Sequence, residues 1–151
     1  IPHSKLIDAP WHNDAPVERL AEAMKTGVSP VVDWPMLAPA IQYSGGRIDA
    51  RSVIEWLMDG RYILWVGHTE NSPPKAALVT RVARYPRRAM LAVDLCGGSG
   101  LEDWAAEADR VLRTFSRQSG LDGVELYGRQ GWTRALRRLG WQQTAVMVDT
   151  L

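Results

Sequence analysis

Between Met90 and Trp141 the hydrophobic pattern switches period at each glycine cluster. MLAVDL reads as a strand and CGGSG as a loop; LEDWAAEADRVLRTFSRQSG reads as a capped helix. VELYGR then reads as a strand leading into a glycine turn, and GWTRALRRLGW as a short basic helix. Few folds accept this order. The strand Met90–Leu95 and the strand Gly123–Tyr127 should lie side by side and parallel, joined by a right-handed crossover through the helix. A glycine loop between strand and helix also directs backbone N–H groups and the positive end of a helix dipole at one point. Gly97, Gly98, Ser99 and Gly100 are therefore a candidate phosphate site. The plainer alternative is a simple connection. Ser99 and Glu102 form a capping box that needs no ligand, and Glu102 with Asp103 would disfavour a nearby phosphate.

The rest of the chain supplies a frame for this unit. Lys5–Pro10 is expected as a short strand, and Asp14 as the cap of a helix carrying Val17, Leu20, Ala21 and Met24 at helical spacing. Three prolines between Ser29 and Ala40 predict an irregular segment packed on the domain and lining a cleft. Asp49 should cap a second helix, with Val53, Ile54 and Leu57 inward and Gly60 at its end. Tyr62–His68, Ala76–Ala83 and Met90–Leu95 predict an antiparallel meander, with a turn at Pro86. A last helix covers about Trp132 to Leu139, and a final strand Thr144–Thr150. The predicted fold class is α+β, one three-layer domain over residues 1–151: a mixed central sheet with helices on both faces.

Composition narrows the function classes. A net charge of +1 over 151 residues gives no field to draw nucleic acid or an anionic membrane. No run is apolar enough to span a bilayer, and no signal peptide is evident at Ile1. With Cys96 as the only cysteine, neither a disulfide framework nor a zinc cluster can form, which points to a reducing, cytoplasmic setting. His3, His12 and His68 have no metal-ligand spacing, so no metal is expected. Seven tryptophans against one phenylalanine predict a bulky core. Every basic residue after Lys75 is an arginine. Arg81, Arg84, Arg87 and Arg88 gather around Pro86, and Arg134, Arg137 and Arg138 on the last helix. They read as a solvated basic face or as contacts for a phosphate or an acidic partner.

From Tyr62 onward the chain resembles the GNAT superfamily of N-acetyltransferases. The meander is followed by a strand, a loop matching the G-x-G/A end of Q/R-x-x-G-x-G/A at Gly98-Ser99-Gly100, and a helix. Leu139-Gly140-Trp141 is similar to the family's Leu-Gly-aromatic signature, with Ala135 in the same helix. YPRR, the Gly-Gly loop and YGRQGWTRALRRLGW are similar to small GNAT-like proteins of tailed bacteriophages. The resemblance implies acetyl-CoA as cosubstrate, held by Leu95, Cys96, Gly97, Gly98, Ser99 and Gly100, and acetyl transfer to an unidentified primary amine. It departs at three positions. Leu95 stands where Gln or Arg is frequent, Leu136 where a tyrosine often acts as general acid, and Arg129 where an asparagine often opens the helix.

Acetyl transfer needs a base for the ammonium and an acid for the departing thiolate. Asp94, on the strand before the loop, is the candidate base; pairing with an arginine is its alternative. Tyr127, ending the next strand, is the candidate acid; its alternative is a half-buried aromatic at a sheet end. Cys96 lacks a histidine at catalytic spacing and is not a candidate nucleophile. The alternative function is a non-catalytic accessory or virion-associated protein, engaging a second copy of itself or a phage protein.

Overall fold

Strands joined by short connections pair with their sequence neighbours. β2 (Ile63–His68), β3 (Pro74–Arg84) and β4 (Ala89–Gly98) form the expected antiparallel meander. The computed structural model describes residues 10–11, 33–68, 74–98, 101–128, 131–144 and 146–149. Around Pro86 the Tyr85 N–H donates to the Arg88 carbonyl at 2.8 Å and closes the β3–β4 turn. β1 (Pro10–Trp11) pairs with β2, and β5 (Gly123–Leu126) runs parallel to β4, Met90 opposite Gly123 and Val93 opposite Leu126. The sheet order is β1-β2-β3-β4-β5. The crossover between β4 and β5 is α3 (Leu101–Gln118), as predicted.

Helices cover both faces. α1 (Asp33–Tyr43) and α2 (Ala50–Met58) pack Leu37, Val53, Ile54 and Leu57 against Leu64, Ala77, Val79 and Leu95. On the other face Trp104, Ala108 and Leu112 of α3 meet Trp65, Leu78, Leu91 and Val93. Trp65 and Trp104 are almost wholly buried, and the Trp65 indole donates to Thr80 Oγ1 at 2.9 Å, so the polar edge of a large ring is satisfied inside the core. α4 (Trp132–Arg138) ends on Gly140, whose φ of +91° only glycine adopts easily. Gly140 and Trp141 N–H groups cap the Arg137 and Leu136 carbonyls. The Trp141 indole then donates to Asp109 on α3 at 2.7 Å, tying the two helices together.

Asp49 caps α2 as expected: its Oδ1 accepts from Ser52 N–H and from Ser52 Oγ, both at 2.7 Å. The Ser52 hydroxyl, then its N–H, hold the Asp49 carboxyl below its ordinary 3.8. A depressed folded-state value means that the cap stabilises above the ordinary carboxylate range and is lost as pH falls below it. Asp49→Ala should lower the melting temperature at neutral pH, and the difference from the parent should shrink in acid below about pH 4. Thermal melts across pH check this; a difference independent of pH would exclude the charged cap as its source.

Three expectations are corrected. The proline-bearing segment from Ser29 is not irregular throughout, because Asp33–Tyr43 is the helix α1. Pro35 lies in its first turn, where an N–H has no partner within the helix. Pro39 forfeits one internal bond, but Leu37 and Ala40 on the same helix are buried in the core. Next, CGGSG is not all loop. β3 begins at Pro74 and offers partners to Cys96, Gly97 and Gly98, so β4 runs through Gly98. Finally, residues 144 and 146–149 form no strand, and Val146, Met147 and Val148 are exposed. A run of β-branched and apolar residues supplies strand propensity, but propensity alone forms no ladder where the side chains are not packed against the sheet. The Lys5–Pro10 strand is described only at Pro10, and the Asp14 helix lies outside the described residues.

Candidate functional site

β4 and β5 start together and then part. Their register ends at Val93 opposite Leu126, and the Tyr127 N–H still reaches the Val93 carbonyl at 3.1 Å. β4 continues to Gly98 without β5 beside it. At the point of separation β4 carries a bulge: Thr80 faces Val93 and Val79 faces Leu95, which leaves Asp94 without a cross-strand partner. A bulge bends a strand and turns successive side chains to one face. Asp94 and Leu95 accordingly both lie on the α1–α2 side, while Cys96 returns to the α3 side.

The cleft opened there has a volume of about 250 Å³. Its walls are Asp94 and Cys96 from β4, Tyr127 and Gly128 after β5, Trp132 at the start of α4, and Ala40, Tyr43, Ser44 and Arg47 from α1 and the turn after it. Asp94 is 3% exposed and held on one oxygen. Arg81 Nε donates to Asp94 Oδ2 at 2.6 Å, and the Tyr62 hydroxyl donates to the same atom at 2.9 Å. Burial, followed by the neighbouring carboxylate, pushes the Tyr62 phenol well above its ordinary value, so it remains a proton donor to Asp94. Asp94 Oδ1 is buried with no hydrogen-bond partner among the described residues. Across the cleft, the Arg47 guanidinium stacks 4.9 Å above the Tyr127 ring, and Trp132 packs edge-on against Trp104.

Of the residues singled out from the sequence, Asp94, Cys96 and Tyr127 meet in this cleft. Leu95 does not: its side chain is packed with Leu64 and Val79 in the core. Gly97 is buried within the β3–β4 ladder, and Gly98 ends β4 with φ +129°, a conformation that favours glycine. Ser99 and Gly100 lie outside the described residues. Cys96 also borders a smaller apolar cavity of about 30 Å³ beneath α3 and α4, and Leu136 faces that cavity. Arg84, Arg87, Arg88, Arg134, Arg137 and Arg138 are exposed, whereas Arg81 leaves the basic group at Pro86 for Asp94. Arg47 and Tyr62 escaped the sequence reading, which places Arg81 with the Pro86 arginines rather than beside Asp94. A signal existed for Arg81, which shares the inward alternation of Ala77 and Val79. An arginine in that register implies a buried carboxylate opposite it.

No protein-family model and no curated protein matches the sequence. Solved structures do. A GCN5-related N-acetyltransferase from Ralstonia eutropha JMP134 is similar at a TM-score of 0.58 and 16% identity, over 89% of this chain and 94% of that one. The fold is that of the GCN5-related N-acetyltransferases. A predicted acetyltransferase with acetyl-CoA from Clostridium acetobutylicum is similar at 0.57 and 13% identity, over 92% of each chain. Glucosamine-6-phosphate N-acetyltransferase from Arabidopsis thaliana is similar at 0.52 and 11% identity, over 96% of each. The GNAT fold accounts for the mixed sheet with helices on both faces. Among the described residues, no helix is long and apolar enough to cross a membrane.

Proposed function

We propose that this chain is an acetyl-CoA-dependent N-acetyltransferase acting on a primary amine. The observation that carries the reading is the parting of β4 and β5 at the Asp94 bulge, which brings Asp94 and Tyr127 to one cleft. The edge of β4 that β5 leaves free beyond Val93 accepts the extended arm of the CoA thioester, and Gly98 with the N-terminus of α3 receives its pyrophosphate. The amine enters from the α1 side. Asp94 takes a proton from the ammonium through Oδ1, since Oδ2 is already held by Arg81 and Tyr62. The nitrogen lone pair attacks the thioester carbonyl; the C–N bond forms and the C–S bond breaks. Tyr127 gives its phenolic proton to the departing thiolate and recovers one from the nitrogen, and Asp94 releases its proton to water.

Calorimetric titration with acetyl-CoA tests the reading, and saturable binding is expected. Absence of binding at millimolar ligand would favour a GNAT-fold interaction protein without turnover. That second reading draws on Leu136, an apolar side chain facing the smaller cavity at the position where the resemblance expects an acid. Tyr127→Phe should slow acetyl transfer by at least about tenfold, at the low end of general acid–base assistance. Affinity for acetyl-CoA should not change. An unchanged rate in a coupled thiol-release assay would exclude Tyr127 as the acid.

A further inference from the structure

We propose that the acceptor amine also carries an anion, a carboxylate or a phosphate, which Arg47 binds while the amine meets Asp94. The inference rests on the acetyl-transfer reading and deepens it to a substrate class. Two observations carry it from opposite walls of one cleft. On one wall, Asp94 Oδ1 is a buried carboxylate oxygen without a donor among the described residues. A buried acceptor left unmatched is costly, and an ammonium or amine N–H supplies the missing donor. On the other wall, Arg47 is the cation among the described residues that line the cleft. Arg51, Arg61, Arg81, Arg110 and Arg113 each hold a carboxylate of the chain. Among the described residues no carboxylate pairs with Arg47; its guanidinium lies 4.9 Å over the Tyr127 ring instead.

Stacking on an aromatic face fixes the plane of a guanidinium and leaves its N–H edge open for two parallel hydrogen bonds to an oxyanion. The charges also set the orientation. An anion placed beside Asp94 would be repelled, and an ammonium placed beside Arg47 likewise. The amine therefore points inward to Asp94 and the anion outward to Arg47. A polyamine would bring its second cation onto Arg47, and a neutral amine would leave the guanidinium unmatched. The cleft volume of about 250 Å³ suits a small acceptor of this kind.

Matched probes test the proposal on the full chain. β-Alanine is compared with β-alaninamide, and 2-aminoethyl phosphate with ethanolamine, so that each pair shares its amine and spacer. Transfer is read by CoA release, and binding by calorimetry with and without acetyl-CoA. The anionic member of at least one pair should bind at least about tenfold more tightly than its neutral partner. Whichever pair shows the preference identifies the anion as carboxylate or phosphate. Arg47→Gln should erase the preference and leave acetyl-CoA affinity unchanged, while Arg134→Gln on exposed α4 should alter neither. Equal binding within both pairs, no binding of either anionic probe, or a preference that survives Arg47→Gln would overturn the proposal. Failure of acetyl-CoA to bind would refute the transfer reading by itself. The anion preference is measured separately, by titration without the thioester.

Discussion

Gly98→Asp is expected to lower acetyl-CoA affinity by more than about a hundredfold, about 2.8 kcal/mol at 1.4 kcal/mol per tenfold. Two effects combine. A side chain at the last residue of β4 blocks backbone approach to the pyrophosphate, and its charge opposes an anion at the N-terminus of α3. Gly98 has φ +129°, so any L side chain there also strains the folded state, by about 1–3 kcal/mol. Gly98→Ala separates these effects, because it carries the strain without the charge. Calorimetry gives the affinities and a thermal melt gives the strain. If the Asp variant bound acetyl-CoA as well as the parent, the passage from β4 to α3 would be only a connection.

The second large effect is on stability. Arg81→Met removes the guanidinium from a carboxylate that is 3% exposed and leaves that charge buried without a counter-ion. Breaking a buried pair on one side costs about 3–5 kcal/mol. The lower end is expected, because the Arg81 side chain is 28% exposed and water offsets part of the loss. A loss of about 3 kcal/mol corresponds to a fall of about 6–12 °C in melting temperature for a chain of this size. Asp94→Asn in the Arg81→Met background should recover most of it, since the buried charge is gone and the amide oxygen still accepts from Tyr62. A chemical denaturation curve showing less than about 1 kcal/mol lost in the single variant would mean that Asp94 is held by Tyr62 and the bulge rather than by charge.

Tyr127→Phe and Arg81→Met probe different links of one arrangement. Tyr127 sits at a strand end, so its loss should appear in rate and not in stability. Arg81 lies in the middle of β3, where its partner is set by the β3–β4 register. Met in place of Arg81 keeps an apolar stem against the sheet, so the measured cost reports mainly on the charge.

Elements whose signals are local can be read directly from the residues. The meander follows from apolar runs broken by Pro73-Pro74 and Pro86, and the Asp49 cap from an aspartate three residues before Ser52. The end of α4 follows from Leu139-Gly140, where only glycine turns easily out of the helix. Parallel pairing of β4 with β5 follows from the intervening helix and the handedness of crossovers. Asp94 and Tyr127 were legible as candidates because each stands at the end of a strand that the pattern already defines. Long-range packing settles what remains. Burial of Leu37 and Ala40 makes a helix of a segment whose prolines argue against one. The length of β3 turns Cys96, Gly97 and Gly98 from loop into strand, and residues 146–149, exposed at Val146, Met147 and Val148, stay outside the sheet. One bulge places Asp94 beside Arg81 and Tyr62 and opens the cleft where Arg47 arrives from the turn after α1. Periodicity reports which face of an element is apolar. It does not report which register two strands adopt or which distant side chain fills the space between them, because those are settled by packing across the whole core.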